Sequence, residues 1–195
     1  MKNLDELRKK LDELTTYPAD AKADWLDSQV NEIEQLKKLL PHSIELFRKA
    51  TVEIVNTNCY MYSLDLSYES IEEYVEDKSD IPDSKFVAWL ITEGILMPLL
   101  SDFAAAEDGV IVLYFQDGTF GVPAHAGKKA GDKVVSKWGW GLTHTWKHAP
   151  LQCPAQYGNR IKLYIPPESI EVKSAYYSWL ATHSPSSSDK SSDEK

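Results

Sequence analysis

Cysteine is scarce in this chain, which has two, Cys59 and Cys153, among 195 residues. Two cysteines are too few for a disulfide scaffold, so we expect free thiols in a reducing cytoplasm. Positive charge is also scarce, because 21 Lys and Arg residues stand against 30 Asp and Glu residues and give a formal charge of −9. A chain without a basic surface is not expected to bind nucleic acid or an anionic membrane.

Long hydrophobic runs are absent as well. The longest apolar stretch, residues 94–100, contains Pro98 and is too short to cross a bilayer. Residues 1–14 are charged throughout and lack the apolar core of a secretory signal. We therefore expect a cytoplasmic protein, with export by a signal-independent system as the alternative.

Leucine spacing at the start of the chain predicts an amphipathic helix over residues 1–16. The leucines recur at alternating spacings of three and four: Leu4, Leu7, Leu11 and Leu14. A second helix is predicted over 19–40, ended by Pro41, and a short third helix over 43–50. Residues 1–50 are interpreted as a helical region that packs on its own domain or, alternatively, forms a homodimer through its helices.

The rest of the chain changes from helical to strand patterns. Helices are predicted over 59–76 and 86–94. Short strands rich in β-branched and aromatic residues follow at 110–115, 120–128, 133–138 and 160–165. Helices followed by a meandering antiparallel sheet predict an α+β fold. Residues 51–183 are assigned to this domain, with a last short helix suggested near its end, and residues 184–195 to a disordered tail.

Cys59 is the candidate nucleophile. It follows three residues that cap helices well, Asn56, Thr57 and Asn58, and it opens a predicted helix. A thiol at a helix N-terminus lies near free N–H groups, which favour the thiolate. The alternative is a small, buried apolar thiol, the common fate of a free cysteine.

His125 is the candidate base. It lies on a predicted strand between small residues, in the stretch Pro123-Ala-His-Ala-Gly127. A thiol on a rigid helix and an imidazole on a rigid strand make a sound pair for nucleophilic catalysis. The alternative is a histidine on the sheet surface, or one whose ring is satisfied in the core.

In this order, the segments resemble the NlpC-like and CHAP-like branch of the papain-like cysteine hydrolases. The resemblance covers about residues 52–165. It rests on a cysteine opening a helix after an Asn-rich turn, an Asp-Gly turn before an apolar strand (107–115), and His125-Ala-Gly127. It implies a papain-like core, in which the helix carrying Cys59 packs on an antiparallel sheet, preceded by the N-terminal helical hairpin. It also implies Cys59 as nucleophile, His125 as general base and a third polar residue that orients the imidazole.

The third member of this set is open between two residues. The family places it on the strand after the histidine, where this chain has Ser136 and Lys137. Ser136 can accept the imidazole N–H weakly, whereas a charged lysine cannot accept it. His148, on the next segment, is the alternative.

A segment rich in Trp, Gly and His after the third predicted strand is expected to wall a substrate cleft. The candidates for substrate contact there are Trp138, Trp140 and Tyr157. The alternative is that these rings pack under a long loop. Asn58 is a candidate second oxyanion donor beside the Cys59 N–H. His144 and His148 have metal-compatible spacing, with Cys153 nearby, but the glycines indicate a loop, so neither a metal nor a cofactor is expected.

The sequence therefore predicts a cysteine hydrolase that cleaves an amide bond in a peptide or peptide-like substrate through a Cys59 thiolate and the His125 base. Two alternatives stay open. One is a non-catalytic interaction module on the same fold. The other is an acyl or amide transferase, which shares its first half-reaction with hydrolysis. The fold does not choose the substrate.

Overall fold

A computed structural model describes residues 2–15, 23–50, 57–67, 71, 81–118, 121–139 and 143–183. The predicted tail over 184–195, Trp140 and most of residues 68–80 lie outside the described residues. The helices are α1 (Lys2–Thr15), α2 (Ala23–Leu39), α3 (Cys59–Ser63), α4 (Ser84–Thr92) and α5 (Ser169–His183), with a 3-10 turn at Ala155–Tyr157. The strands are β1 (Glu45–Arg48), β2 (Ile111–Phe115), β3 (His125–Ala130), β4 (Lys133–Lys137), β5 (Thr145–His148) and β6 (Arg160–Tyr164).

These elements confirm the predicted α+β class. The six strands of the described residues form one antiparallel sheet in the order β1-β5-β4-β3-β2-β6. Strand β2 lies between β3 and β6, and every side chain in its sequence Ile-Val-Leu-Tyr-Phe is buried. None of the helices in the described part of the chain has the length and apolar character needed to span a bilayer.

The two faces of the sheet have separate hydrophobic cores. On one face, here called the α3 face, Ile111, Leu113 and Ala126 pack with residues of α3, α4 and α5. On the other, the α1 face, Val112 packs with residues of α1 and α2. Successive strand residues point to opposite faces, so the position of a residue along its strand decides which core its side chain joins.

The leucine seam of α1 is buried inside the chain's own core. Leu7 and Leu11 are 1% and 0% exposed, and both belong to the core of the α1 face together with Ile33 of α2. The N-terminal helices therefore pack on the sheet of the same chain, which is the first of the two alternatives drawn from the sequence. Because the leucine seam is already covered by the chain's own core, a homodimer would have to form through the outer surfaces of the N-terminal helices. That homodimer stays a prediction.

Two strands were not expected from the sequence. The predicted third helix over 43–50 was wrong, because residues 45–48 form the edge strand β1, which pairs with β5. Strand β5 lies in a segment that was expected to be a loop. Each strand has four residues, and β1 exposes three of them, so neither shows a clear alternation of apolar and polar side chains.

Candidate active site

Cys59 is the first residue of α3, and Asn58 holds it there. The Asn58 side-chain oxygen accepts hydrogen bonds from the N–H groups of Tyr60 and Met61, both at 2.9 Å. Its amide nitrogen donates to the Pro82 carbonyl at 2.7 Å. Asn58 thus serves as the helix cap and ties α3 to the segment before α4, while its expected contact with substrate as an oxyanion donor stays a prediction.

The Cys59 thiol lies against the backbone on the α3 face. Burial raises its pKa to about 12, and the N–H groups of Ala126, Cys59 and Tyr60 act in the opposite direction. The Lys137 ammonium also lowers this pKa. With 9% of the residue exposed, the thiol is neutral at rest, although three amides and a cation are in place to stabilise a thiolate.

His125 lies on the opposite face of the sheet. It is the first residue of β3 and pairs with Tyr114, a member of the α1-face core. Its ring stacks on Tyr157, with ring centroids 3.7 Å apart and an interplanar angle of 6°. Its Nε2 atom is buried and has no hydrogen-bond partner among the described residues. Burial lowers the His125 pKa well below the usual value, and the nearby His148 lowers it further.

The alternation of β3 therefore separates the expected nucleophile from the expected base. Ala126 belongs to the same core as Cys59, whereas His125, one residue earlier, points to the other core. No hydrogen bond joins Cys59 to His125 in the described part of the chain. Tyr60, beside Cys59, donates its hydroxyl to the Pro123 carbonyl at 2.7 Å, so α3 is tied to the backbone that leads into β3 and not to the imidazole.

Ser136 and His148 lie on the α1 face and bond to each other. The Ser136 hydroxyl is 2.9 Å from His148 Nε2, and His148 Nδ1 is 2.9 Å from the Ala149 carbonyl. Because a carbonyl only accepts, Nδ1 carries a proton. Burial lowers the His148 pKa to about 4, so the imidazole is neutral at pH 7 and Ser136 donates to Nε2. Trp138 Nε1 in turn donates to the Ser136 oxygen at 2.9 Å. This chain of bonds is complete in itself and does not reach His125.

The expected cleft aromatics are buried. Trp138 is 1% exposed, and its ring centroid lies 5.5 Å from that of Trp146. Tyr157 is 8% exposed and covers His125. Trp138 thus belongs to the core of the α1 face, and Tyr157 contacts an expected catalytic residue. Trp140 lies outside the described residues.

His144, His148 and Cys153 were the residues considered as metal ligands in the sequence, where no metal site was expected. The ring of His144 is fixed by Leu26 and Ala50, since Nε2 donates to the Leu26 carbonyl at 3.0 Å and Nδ1 accepts the Ala50 N–H at 2.9 Å. Among the described residues, no group of three or more His, Cys, Asp or Glu side chains is placed to hold a metal ion.

Lys137 is a residue of the site that the sequence analysis considered only as an acceptor for the imidazole and set aside as charged. It is 1% exposed, and its Nζ donates to the Thr143 carbonyl at 3.2 Å and to the Thr143 hydroxyl at 2.7 Å. Burial lowers the Lys137 pKa to about 8, and Cys59 acts in the opposite direction. The sequence feature that could have indicated a buried lysine was its position at the end of a predicted strand whose side chains point alternately to two buried faces.

A cleft of about 140 Å³ lies at another place on the α3 face. Its lining comes from residues that follow α3 and from the first part of α5: Asp65, Leu66, Ser67, Ser169, Ile170 and Lys173. Cys59 does not line this cleft.

Comparisons with models of protein families, with curated proteins and with solved structures find no match to this chain.

Proposed function

We propose that the chain is a cysteine hydrolase of papain-like type, which cleaves an amide bond in a peptide or peptide-like substrate with Cys59 as the nucleophile. The observation that supports the proposal is the set of N–H groups around the sulfur, from Cys59, Tyr60 and Ala126. A thiolate needs such donors in a buried setting, and a tetrahedral oxyanion next to the sulfur needs the same type of donor.

The reaction would begin from a neutral thiol. Burial keeps the proton on Cys59, with a pKa of about 12, until a base removes it. The sulfur then attacks the amide carbon, the amine leaves, and water hydrolyses the thioester. The expected base, His125, points to the opposite face of the sheet, so the proposal requires either a rearrangement of β3 or a base on the α3 face.

Cysteine alkylation tests the proposal, with Cys153, which is 0% exposed against 9% for Cys59, as the internal control. Both thiols are buried, and burial raises both pKa values to about 12. We expect iodoacetamide at pH 8 to label Cys59 in the folded protein at least about tenfold faster than Cys153, as mass spectrometry of the peptides will show. A mixture of synthetic peptides should be hydrolysed by the wild type and by Cys153→Ser, but not by Cys59→Ser. Equal labelling of the two thiols, with no hydrolysis, would contradict the proposal.

A non-catalytic interaction module is the second candidate function. The separation of Cys59 from His125, together with the 9% exposure of the thiol, favours it. It predicts equal, slow alkylation of Cys59 and Cys153, and folding and association that Cys59→Ala leaves unchanged. The alkylation experiment thus distinguishes the two candidates.

A further inference from the structure

Lys137 lies on the same face of the sheet as Cys59. In β4 it pairs with Thr145 of β5, two residues beyond Val135, which pairs with Lys128 of β3. Ser136, between them, bonds to His148 on the α1 face. Lys137 therefore points to the α3 face, where α3 packs across β3 and β4.

The amine of Lys137 is held in place beneath the surface. Both oxygens of Thr143, the carbonyl and the hydroxyl, accept from its Nζ, and only 1% of Lys137 is exposed. A surface lysine has a mobile, fully hydrated ammonium group, whereas this one is desolvated and fixed. Desolvated lysines are the ones that exchange protons near neutral pH.

Cys59 and Lys137 act on each other electrostatically. The lysine charge lowers the pKa of the thiol, and the thiolate raises the pKa of the amine. Burial raises the pKa of two phenols, Tyr60 on α3 and Tyr157 on the α1 face, and the Cys59 thiolate raises each further. Neither phenol is therefore a base at neutral pH. Lys137, with a pKa of about 8, is part amine and part ammonium there.

We propose that Lys137, in place of His125, exchanges the proton with Cys59 in the hydrolysis proposed above. The neutral amine takes the thiol proton as the sulfur forms its bond to the amide carbon. The resulting ammonium gives this proton to the leaving nitrogen as the carbon–nitrogen bond breaks. In the second half, the amine takes a proton from the attacking water, and the ammonium returns it to the sulfur when the thioester bond breaks. The role rests on Cys59 being the nucleophile.

The test is the pH dependence of Cys59 alkylation in Lys137→Met, with Lys129→Met as the matched control. Lys129 is also buried, at 5% exposure, but it lies on the other face of β3 with its Nζ 5.4 Å from the Phe103 ring centroid. We expect Lys137→Met to slow Cys59 alkylation about tenfold at pH 8 and to move its pH dependence upward by about one unit. Lys129→Met should leave rate and profile at wild-type values, with circular dichroism to verify folding.

Two further variants separate charge from proton transfer. Lys137→Arg keeps the positive charge but does not release a proton, so we expect Cys59 alkylation to stay near the wild-type rate while peptide hydrolysis is lost. His125→Gln should retain both the alkylation of Cys59 and the hydrolysis of peptides. Wild-type alkylation of Lys137→Met, or loss of alkylation in His125→Gln, would overturn the role of Lys137 while the proposed function stands. If wild-type Cys59 reacts no faster than Cys153, the proposed function itself fails.

Discussion

Replacement of Arg8 with methionine is expected to lower the free energy of unfolding by about 3 kcal/mol, the largest effect of a single side chain that we predict. Arg8 is 6% exposed and lies on α1. Its guanidinium donates to the carbonyls of Cys153 at 3.3 Å, Pro154 at 3.5 Å and Gly158. Methionine fills similar space but leaves these buried acceptors without a donor, at about 1–3 kcal/mol for each good bond lost.

Thermal unfolding measures this effect directly. For a domain of this size, about 3 kcal/mol corresponds to a decrease of roughly 6–12 °C in Tm. The matched control is Arg160→Met, whose side chain is 54% exposed and makes an ion pair with Asp117 at 3.2 Å. An exposed pair contributes about 0–1 kcal/mol, so the control should lose at most 2–4 °C, as a rough figure. Similar decreases for the two variants would contradict the role that we give to Arg8.

The Arg8 bonds also explain how His125 comes to be covered. The carbonyls that Arg8 holds flank the 3-10 turn that ends at Tyr157, and Asp12 of α1 accepts the Gln156 N–H at 3.0 Å. Tyr157 stacks on His125 from this turn. Helix α1 is thus tied to the segment that buries the imidazole. Residues on both sides of the boundary predicted at residue 50 share the core of the α1 face.

The sequence could predict the start of α3 because capping depends on neighbouring residues only. Asn58 has the residue type, and the N–H groups that it caps are two and three positions away. The α1 seam and strand β2 were predictable for the same reason, since the seam shows the helical period over its own length and β2 is a short run of β-branched and aromatic residues. The α+β class follows from these local elements.

The face on which His125 lies could not be predicted from its surroundings. Alanines precede and follow it, so the strand offers no alternation of large apolar and polar side chains to fix the direction of the ring. What decides the direction is the pairing of His125 with Tyr114, a contact between distant parts of the chain. Lys137 was set aside because a charged lysine cannot accept a hydrogen bond, and only its burial between packed elements lowers its pKa.

Acidification from about pH 6.5 to pH 4 is expected to remove about 3 kcal/mol of stability through His148 alone. Burial lowers the pKa of this imidazole to about 4, from a usual value of 6.5, and the residue is 0% exposed. The unfolded chain therefore binds more protons than the folded chain within this range of pH. Stability is present in full above about pH 6.5 and falls as the pH decreases toward 4. His125, whose pKa is also lowered by burial, adds to the loss in the same direction.

Urea unfolding at half-unit steps between pH 7 and pH 4 tests this expectation against the variant His148→Gln. Glutamine keeps a donor and an acceptor for Ala149 and Ser136 but does not titrate, so its curve should fall less steeply over the same range. The carboxylates titrate alike in both proteins, and their contribution therefore cancels in the difference. Parallel curves would show that His148 is protonated in the folded protein at mildly acidic pH. The hydrogen bond that Nε2 accepts from Ser136 would then have to be broken or reversed, because a protonated imidazole donates from both nitrogens.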